Sequence, residues 1–540
     1  NIACADANTG GTESISTTLT AGVTYLIRVY DFQAGTPANP TFTIAVTGPA
    51  IFYSKSTGNL NLTTSWVTNN DGTGNNPLNF TAPNQTFNII NNATPTIGAA
   101  WTVSGSGSKI VLGNGTNPIN FTIPSGFAVT GTIDVAANAT LTIQNAVNPT
   151  LGTIGASSTI DYALASGSQT VIPRADYKNL SISGGGTKTI ASATTIANTL
   201  NLNAGTLSNG ANLTVSDGGT VNRYEGTLSA NPTYGNTTGV NVNYLGANDI
   251  ASATGSTPLI TPASGKVKDL TINLSNSAKT VNTSTGTGAT ISGNVFITSG
   301  TLALGNSLTV GGNWSNAGTF TPGLNQVTFN GTSGSQSYTR TGTGSFYNLN
   351  LNNSNGLSLN NDLTVSNILK FTIGKIITGT NKVISTGSIV TAGTGTGWVV
   401  GNLQKPITAA GAKTFEIGGS NFYRPVTLDF TSFSAAGDIV ASVTQADGNH
   451  PNLGTSTLDA TKTVKRYFTL TNNTVAGTYN AVFNFDASDV PVGANPLNFI
   501  IGKYSSGWTY PTVGTRTATS TQLTGATSFS DFVIGELSSW

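Results

Sequence analysis

Few residues in this chain could carry chemistry, and they lie far apart. The lone histidine, His450, stands in Asp447-Gly448-Asn449-His450-Pro451 and reads as an exposed loop residue rather than a general base. Asp486 and Asp489 could form a carboxylate pair, but Asp486-Ala487-Ser488-Asp489 reads as a loop between strands. Asn69-Asn70-Asp71-Gly72-Thr73-Gly74 offers oxygen ligands to Ca²⁺; with one carboxylate and no full ligand series it reads as a plain turn. There is no His/Cys set for zinc or copper, no Gly-x-Ser-x-Gly elbow, no phosphate loop and no Ser/His/Asp set. Glycosidases and polysaccharide lyases need paired carboxylates or a charged acid/base cluster on one face. Asp161 and Asp176 flank one stretch and could meet, whereas Asp71, Asp134, Asp217, Glu225, Asp249, Asp269 and Asp362 are scattered. No residue is assigned a catalytic, cofactor-binding or metal-ligating role.

Composition narrows the partners. Charged residues make up 8% of the 540, against about 25% in ordinary soluble proteins, and the net charge is +1. That argues against nucleic acid, whose phosphates need basic clusters, and against a polybasic membrane-surface patch. No run approaches the roughly 18 apolar residues of a membrane helix, and no signal peptide is visible. The chain has no methionine, so it is expected to begin after processing or inside a longer product. Its one cysteine, Cys4, is either a free thiol or half of a bridge to a partner outside these residues. An Asn/Thr/Gly-rich, Lys/Glu-poor chain suits an exported, extracellular surface protein.

The elements that would position any site are strands. Val, Ile, Leu and Phe alternate with Thr, Ser and Asn at a period of two, and helical periodicity is almost absent. Between Ile160 and Thr386 one unit is written three times. It opens with Ile160-Asp161-Tyr162, Val242-Asn243-Tyr244 and Val327-Thr328-Phe329, 82 and 85 residues apart. Each copy continues through an Asn/Asp-Leu strand: Asn179-Leu180, Asp269-Leu270, Asn348-Leu349. Each then has a small turn: Ala204-Gly205-Thr206-Leu207, Ser299-Gly300-Thr301-Leu302, Ile373-Gly374-Lys375-Ile376. Gly167-Ser168-Gln169-Thr170 recurs as Gly334-Ser335-Gln336-Ser337 at the same place in copies one and three. Such self-similarity marks a repeat architecture. A super-repeat of this length divides into three or four coils of roughly 20–28 residues, as solenoids do.

The expected fold is therefore all-β. A parallel β-helix (β-solenoid) occupies residues 49–390, in roughly 13–15 coils stacked about 4.8 Å apart. A partial β-sandwich lies at 1–48, with strands at Ser16–Thr20, Thr24–Phe32 and Thr41–Thr47. An antiparallel β-sandwich fills 391–540, with nine strands from Trp398–Leu403 to Ser528–Ile534, and caps the solenoid.

Phe52-Tyr53-Ser54-Lys55-Ser56-Thr57-Gly58-Asn59-Leu60, the Asn-Asp-Gly-Thr-Gly loop, Phe121-Thr122-Ile123-Pro124 and the repeated Tyr/Phe-x-Asn-Leu strands resemble large surface proteins of flavobacteria (Bacteroidetes). Those are exported by the type IX route and carry β-helical stalks with sandwich modules. Asn1–Asp6 and Tyr25–Tyr30 resemble the closing half of a small secreted sandwich module. The resemblance implies a secreted, non-enzymatic stalk or adhesin, with surface glycans or other cell-surface proteins as partners; it carries over no catalytic residue. Such families usually end in a sorting domain; the sequence stops at Trp540 without one, so that domain is expected either to be cleaved or to lie beyond these residues. The alternative is a polysaccharide-active enzyme on a β-helix. Half a sandwich at 1–48 also invites head-to-tail self-association into a fibre. Ice binding by flat threonine rows would need Thr-x-Thr on one face at every coil; the threonines fall at irregular places in the copies, and that reading is set aside.

Overall fold

The computed structural model describes residues 24–28, 50–250, 259–283, 286, 288–444 and 449–538. The chain divides into two compact units, residues 1–48 and 49–540. In the first, Thr24–Arg28 form no regular strand. The expected sandwich strands, Cys4 and the proposed end-to-end contact otherwise fall outside the described residues.

The described residues are nearly all β, 52% in strands and 3% helical, and the second unit contains a solenoid of about 16 turns over residues 86–418. Period-two patterning explains the coil. In Ala139–Ile143, Thr159–Tyr162 and Val240–Tyr244 the apolar residues point in and are buried, while the polar ones between them point out. Parallel pairing then stacks like on like. One inner column runs Phe121, Leu141, Ile160, Leu180, Leu200, Val221, Val242, Leu270, Val295 and Trp314. All ten are at most 1% exposed. Each such side chain contributes about 1.5–3 kcal/mol on burial.

Parallel stacking does not stop near Val390. Val399 and Leu403 of the strand Val399–Ile407 lie in register on Ile376 and Val383, and Ile417–Gly418 pairs in parallel on Val399–Val400. The second half of that same strand then pairs antiparallel with Gly437–Val443. It thus opens a six-stranded sheet completed by Leu458–Asn473, Asp531–Leu537, Ile500–Tyr504 and Trp508–Thr509. Facing it is a five-stranded antiparallel sheet: Gly411–Phe415, Val426–Ala435, Ala476–Asn484, Ser520–Ala526 and Val513–Arg516. One hydrophobic core continues from Phe52 through the solenoid to Ile534.

The recurring glutamine explains its own recurrence. Gln169 Oε1 accepts from the Leu164 N–H, and its Nε2 donates to the carbonyls of Ile143 and Asn145. Gln336 repeats the pattern with Gly331, Val310 and Gly312 at the same sequence offsets. Both side chains are buried and clamp a coil corner onto the coil before it.

The threonines that look irregular in sequence fall into one outward column. Ser168, Thr187, Thr206 and Thr227 are register partners, as are Thr280, Thr301, Thr319 and Thr343. Asp249 takes the intervening place: its carboxylate accepts from the Thr280 N–H, and the Glu225 carboxylate below accepts from Ala247 N–H. Successive members are 18 to 31 residues apart, which is why spacing in the sequence conceals the column. A glycine precedes most of them, and stacking requires it. A Cβ on Gly205 would stand 2.5 Å from the Gly186 oxygen, and one on Gly342 would stand 2.0 Å from that of Gly318.

Replacing Gln336 with Leu strands the Gly331 N–H and the Gly312 carbonyl in the core, at a cost of about 2–4 kcal/mol. Urea unfolding of Q336L should show that loss, and S335A should show less than about 0.5 kcal/mol.

Candidate functional site

The acidic side chains of the solenoid are the place to look for catalysis, and most of them bind the neighbouring coil. Asp134 Oδ1 accepts from the Thr153 N–H at 2.7 Å, and its Oδ2 meets Lys109 Nζ at 2.7 Å. Asp217 Oδ1 gathers three N–H groups of the next coil, from Thr237, Thr238 and Gly239, at 2.8–3.0 Å. Glu225 accepts from Ala247 and Asn248, Asp269 from Asn294, and Asp362 from Lys382 N–H. Asp249 binds Thr280 N–H and Lys279. Burial works to raise the Asp134 carboxyl, but Lys109 and the Thr153 N–H outweigh it and hold the group below the usual carboxylate range. The Gly239 N–H, then those of Thr238 and Thr237, hold Asp217 low as well.

Asp161 and Asp176 are not brought together. Asp161 accepts the Ser183 hydroxyl at 2.7 Å, and its register partner one coil on is Ser181. Asp176 lies five residues before Ser181, roughly 15 Å by strand rise, and forms a two-toothed ion pair with Arg174 at 2.8 Å on each arm. Beside it the phenols of Tyr162 and Tyr177, 2.9 Å apart, close a ring with both backbone groups of Ile172. Burial pushes Tyr162 up to about 12 and Tyr177 further in the same direction. Asp71, in the turn weighed for Ca²⁺, accepts from both the N–H and the hydroxyl of Thr73 on its Oδ1, an Asx turn.

Two clusters in the sandwich join residues far apart in sequence. Asp489 ends a single helical turn, Ala487–Asp489, that Asp486 caps, and its buried carboxylate binds both Arg424 and Arg466. The Arg466 guanidinium lies 3.8 Å over the Phe422 ring. Asp486 does not share that site; its carboxylate caps Ser488. His450, read from sequence as exposed, is 4% exposed. Its Nε2 faces Asp531 Oδ2 at 3.1 Å, and its Nδ1 accepts the Asn452 N–H. Asp531 also accepts the Thr469 hydroxyl, and the rings of Tyr467, Tyr504 and Trp508 pack around the imidazole. Asp531 lies 81 residues from His450, so local sequence gives no sign of the pair. With one nitrogen donating to Asp531 and the other accepting from Asn452, the imidazole has no lone pair left for a substrate proton.

One open groove of about 250 Å³ is lined by Asn91, Asn92 and Asn114, and another of about 430 Å³ by Ser104, Lys109 and Thr132. Neither lining holds a carboxylate or a histidine. Among the described residues, no three His, Cys, Asp or Glu side chains converge on a metal-sized space, and no helix is long and apolar enough to cross a membrane. Comparison with protein-family models, with curated proteins and with solved structures finds no match.

Removing Asp489 leaves two buried guanidinium groups uncompensated, so D489A should lose about 3–5 kcal/mol in chemical unfolding, while D486A loses less than about 1 kcal/mol. The solenoid acids set the acid limb of stability. Asp134 and Asp217 sit below their unfolded values, so the folded form binds fewer protons; their contribution is full above the ordinary carboxylate value of about 4 and fades as pH falls below it. A D134N/D217N variant keeps an acceptor oxygen at each place but cannot titrate. Its melting temperature should fall less steeply than the parent's below about pH 4, and an identical slope would show the two carboxylates to be uninvolved.

Proposed function

We propose that this chain is a non-enzymatic, extracellular rod of the cell surface, a stalk or adhesin exported by the type IX route. Its partners on this reading are surface glycans or other cell-surface proteins. One observation supports it above the others: the carboxylates of the solenoid are engaged in joining coils. An acid fixed to the backbone of the next coil, as Asp217 is, holds the ring of hydrogen bonds that lowers its proton affinity. A glycosidase or lyase acid needs the opposite, a raised proton affinity and a partner carboxylate across the scissile bond. A long stack of coils with a continuous core also suits load and reach better than turnover.

The test has two arms. Expressed with its natural flanks in a flavobacterial host, the protein should be accessible to protease added to intact cells, and the purified rod should retain glycans or surface proteins on an array without cleaving them. Accumulation inside the cell would defeat the surface reading. Turnover of any polysaccharide that disappears in the D161A/D176A double variant would establish the enzyme instead.

A further inference from the structure

The outward hydroxyl column differs from the other face of the same solenoid. Along the main sheet the outward positions run Thr142, Asp161, Ser181, Asn201, Asn222 and Asn243, a mixture of hydroxyl, acid and amide, and further on the row includes Phe296. Along the short strands, eight of nine successive places in the column hold Thr or Ser, with Asp249 the exception. A second outward row lies two residues on: Thr170, Thr189 and Ser208 in register in one block, and Asn282, Ala303 and Thr321 in the other. Hydroxyls touch along the column, Thr206 to Thr227 at 3.0 Å and Thr319 to Thr343 at 3.1 Å. Along most of the column the border is stacked glycine backbone, where no side chain rises; Asn248 and Lys279 interrupt it beside Asp249 and Thr280.

We propose that this face binds ice. The occupant has to be flat, because the strip is a β-sheet face edged by bare backbone. It has to carry little charge, because the one ionised side chain in these two rows, Asp249, is paired with Lys279 at 3.1 Å. It has to repeat along the rod at the strand spacing, because donors and acceptors recur at every coil over roughly 38 Å. Rows of water oxygens in ice repeat at nearly that spacing, and each oxygen both donates and accepts, as a threonine hydroxyl does. The methyl beside each threonine hydroxyl restricts the orientation of first-shell water, which holds it in lattice order. A polysaccharide chain fits less well: it stacks on aromatic rings, and neither row contains one. A second copy of the rod fits less well too. A strip roughly 40 Å by 10 Å would bury about 400 Å² on each partner, half of what a stable interface takes.

The intact chain should open a gap between melting and freezing temperatures, shape ice crystals and halt their recrystallisation. T206K and T301K place a long charged side chain on the flat strip in two different blocks; each should abolish all three effects while far-UV circular dichroism and the melting temperature stay at the parent's values. T142K, on the mixed face, should retain them. If either column variant unfolds, the other carries the comparison, and T206V removes only the hydroxyl. Absence of ice shaping by the folded parent at its highest soluble concentration overturns the proposal. So does full activity in T206K and T301K, and so does a parent dimer that T206K dissociates, which would make the face a contact between copies.

Discussion

Everything in the solenoid follows from how closely parallel coils sit. Strands about 4.8 Å apart pair their straight portions automatically, but at every corner the backbone leaves the ladder and its polar groups lose their partners. A corner can then do one of two things. It can shrink until backbone touches backbone, as in the column through Gly186 and Gly205. Or it can send a side chain to the neighbouring coil, as Gln169, Gln336 and Asp217 do. Lys188 is a further solution. Fully buried, its ammonium group donates to the carbonyls of Leu164, Gly184 and Gly186, a cation serving a turn that turns three oxygens inward. Burial lowers its proton affinity. The carbonyl dipoles supply the compensation that a carboxylate supplies elsewhere.

The same stacking creates an open edge at each end, and a parallel edge is a template for aggregation. At the first coil Ala50–Ser54 lies on Gln85–Ile89, and the two-residue strand Trp66–Val67 turns back antiparallel against its free side. The rings of Phe52, Trp66, Phe87 and Trp101 fill the lumen beneath. At the other end the edge is continued rather than covered. Val399–Ile407 belongs to the last coils through its first half and to the sandwich through its second, so the sheet passes from parallel to antiparallel within one strand. Where the two meet, Lys405 is buried with Glu416, Nζ to Oε2 at 2.5 Å, and also donates to the Thr414 carbonyl. Burial opposes charge on both partners, lowering the lysine and raising the glutamate, and each offsets that for the other.

The fold class was legible because coil geometry is local. Period-two patterning is a property of neighbouring residues, and it translates directly into the inner column through Ile160, Val242 and Val295, whereas Val327, which opens the third copy of the repeat, stacks in a different column between Leu308 and Leu349. The end of the solenoid was less legible. Val399–Ile407 reads as the sandwich's first strand, which it also is, and nothing in its apolar pattern marks the half that stacks on Ile376. The hairpin Val513–Arg516 with Ser520–Ala526 was not legible either, because its two half-buried strands fully bury only Thr521 and Leu523 and have little apolar alternation. Sites were the least legible. Arg424 and Asp489 are 65 residues apart and His450 and Asp531 are 81 apart, and only antiparallel pairing across the sandwich brings each pair together.

Charge is scarce here for a structural reason. Each corner acceptor must sit within hydrogen-bond reach of an adjacent coil, and a carboxylate there serves well only if several N–H groups or a cation meet it, as with Asp217 and Asp134. Elsewhere asparagine serves without a charge to compensate: Asn313 accepts Ser337 N–H and Asn361 accepts Arg340 N–H, while on the sheet face Asn201, Asn222 and Asn243 pass amide bonds from coil to coil. Amides and hydroxyls repeat along a stack without the like-charge repulsion that a column of acids would accumulate at the same spacing. A solenoid stapled this way acquires a neutral, hydrogen-bonding exterior as a by-product of its own stacking. Whatever the rod meets must be recognised by shape and by the repeat of its polar groups, since almost no field extends beyond its surface.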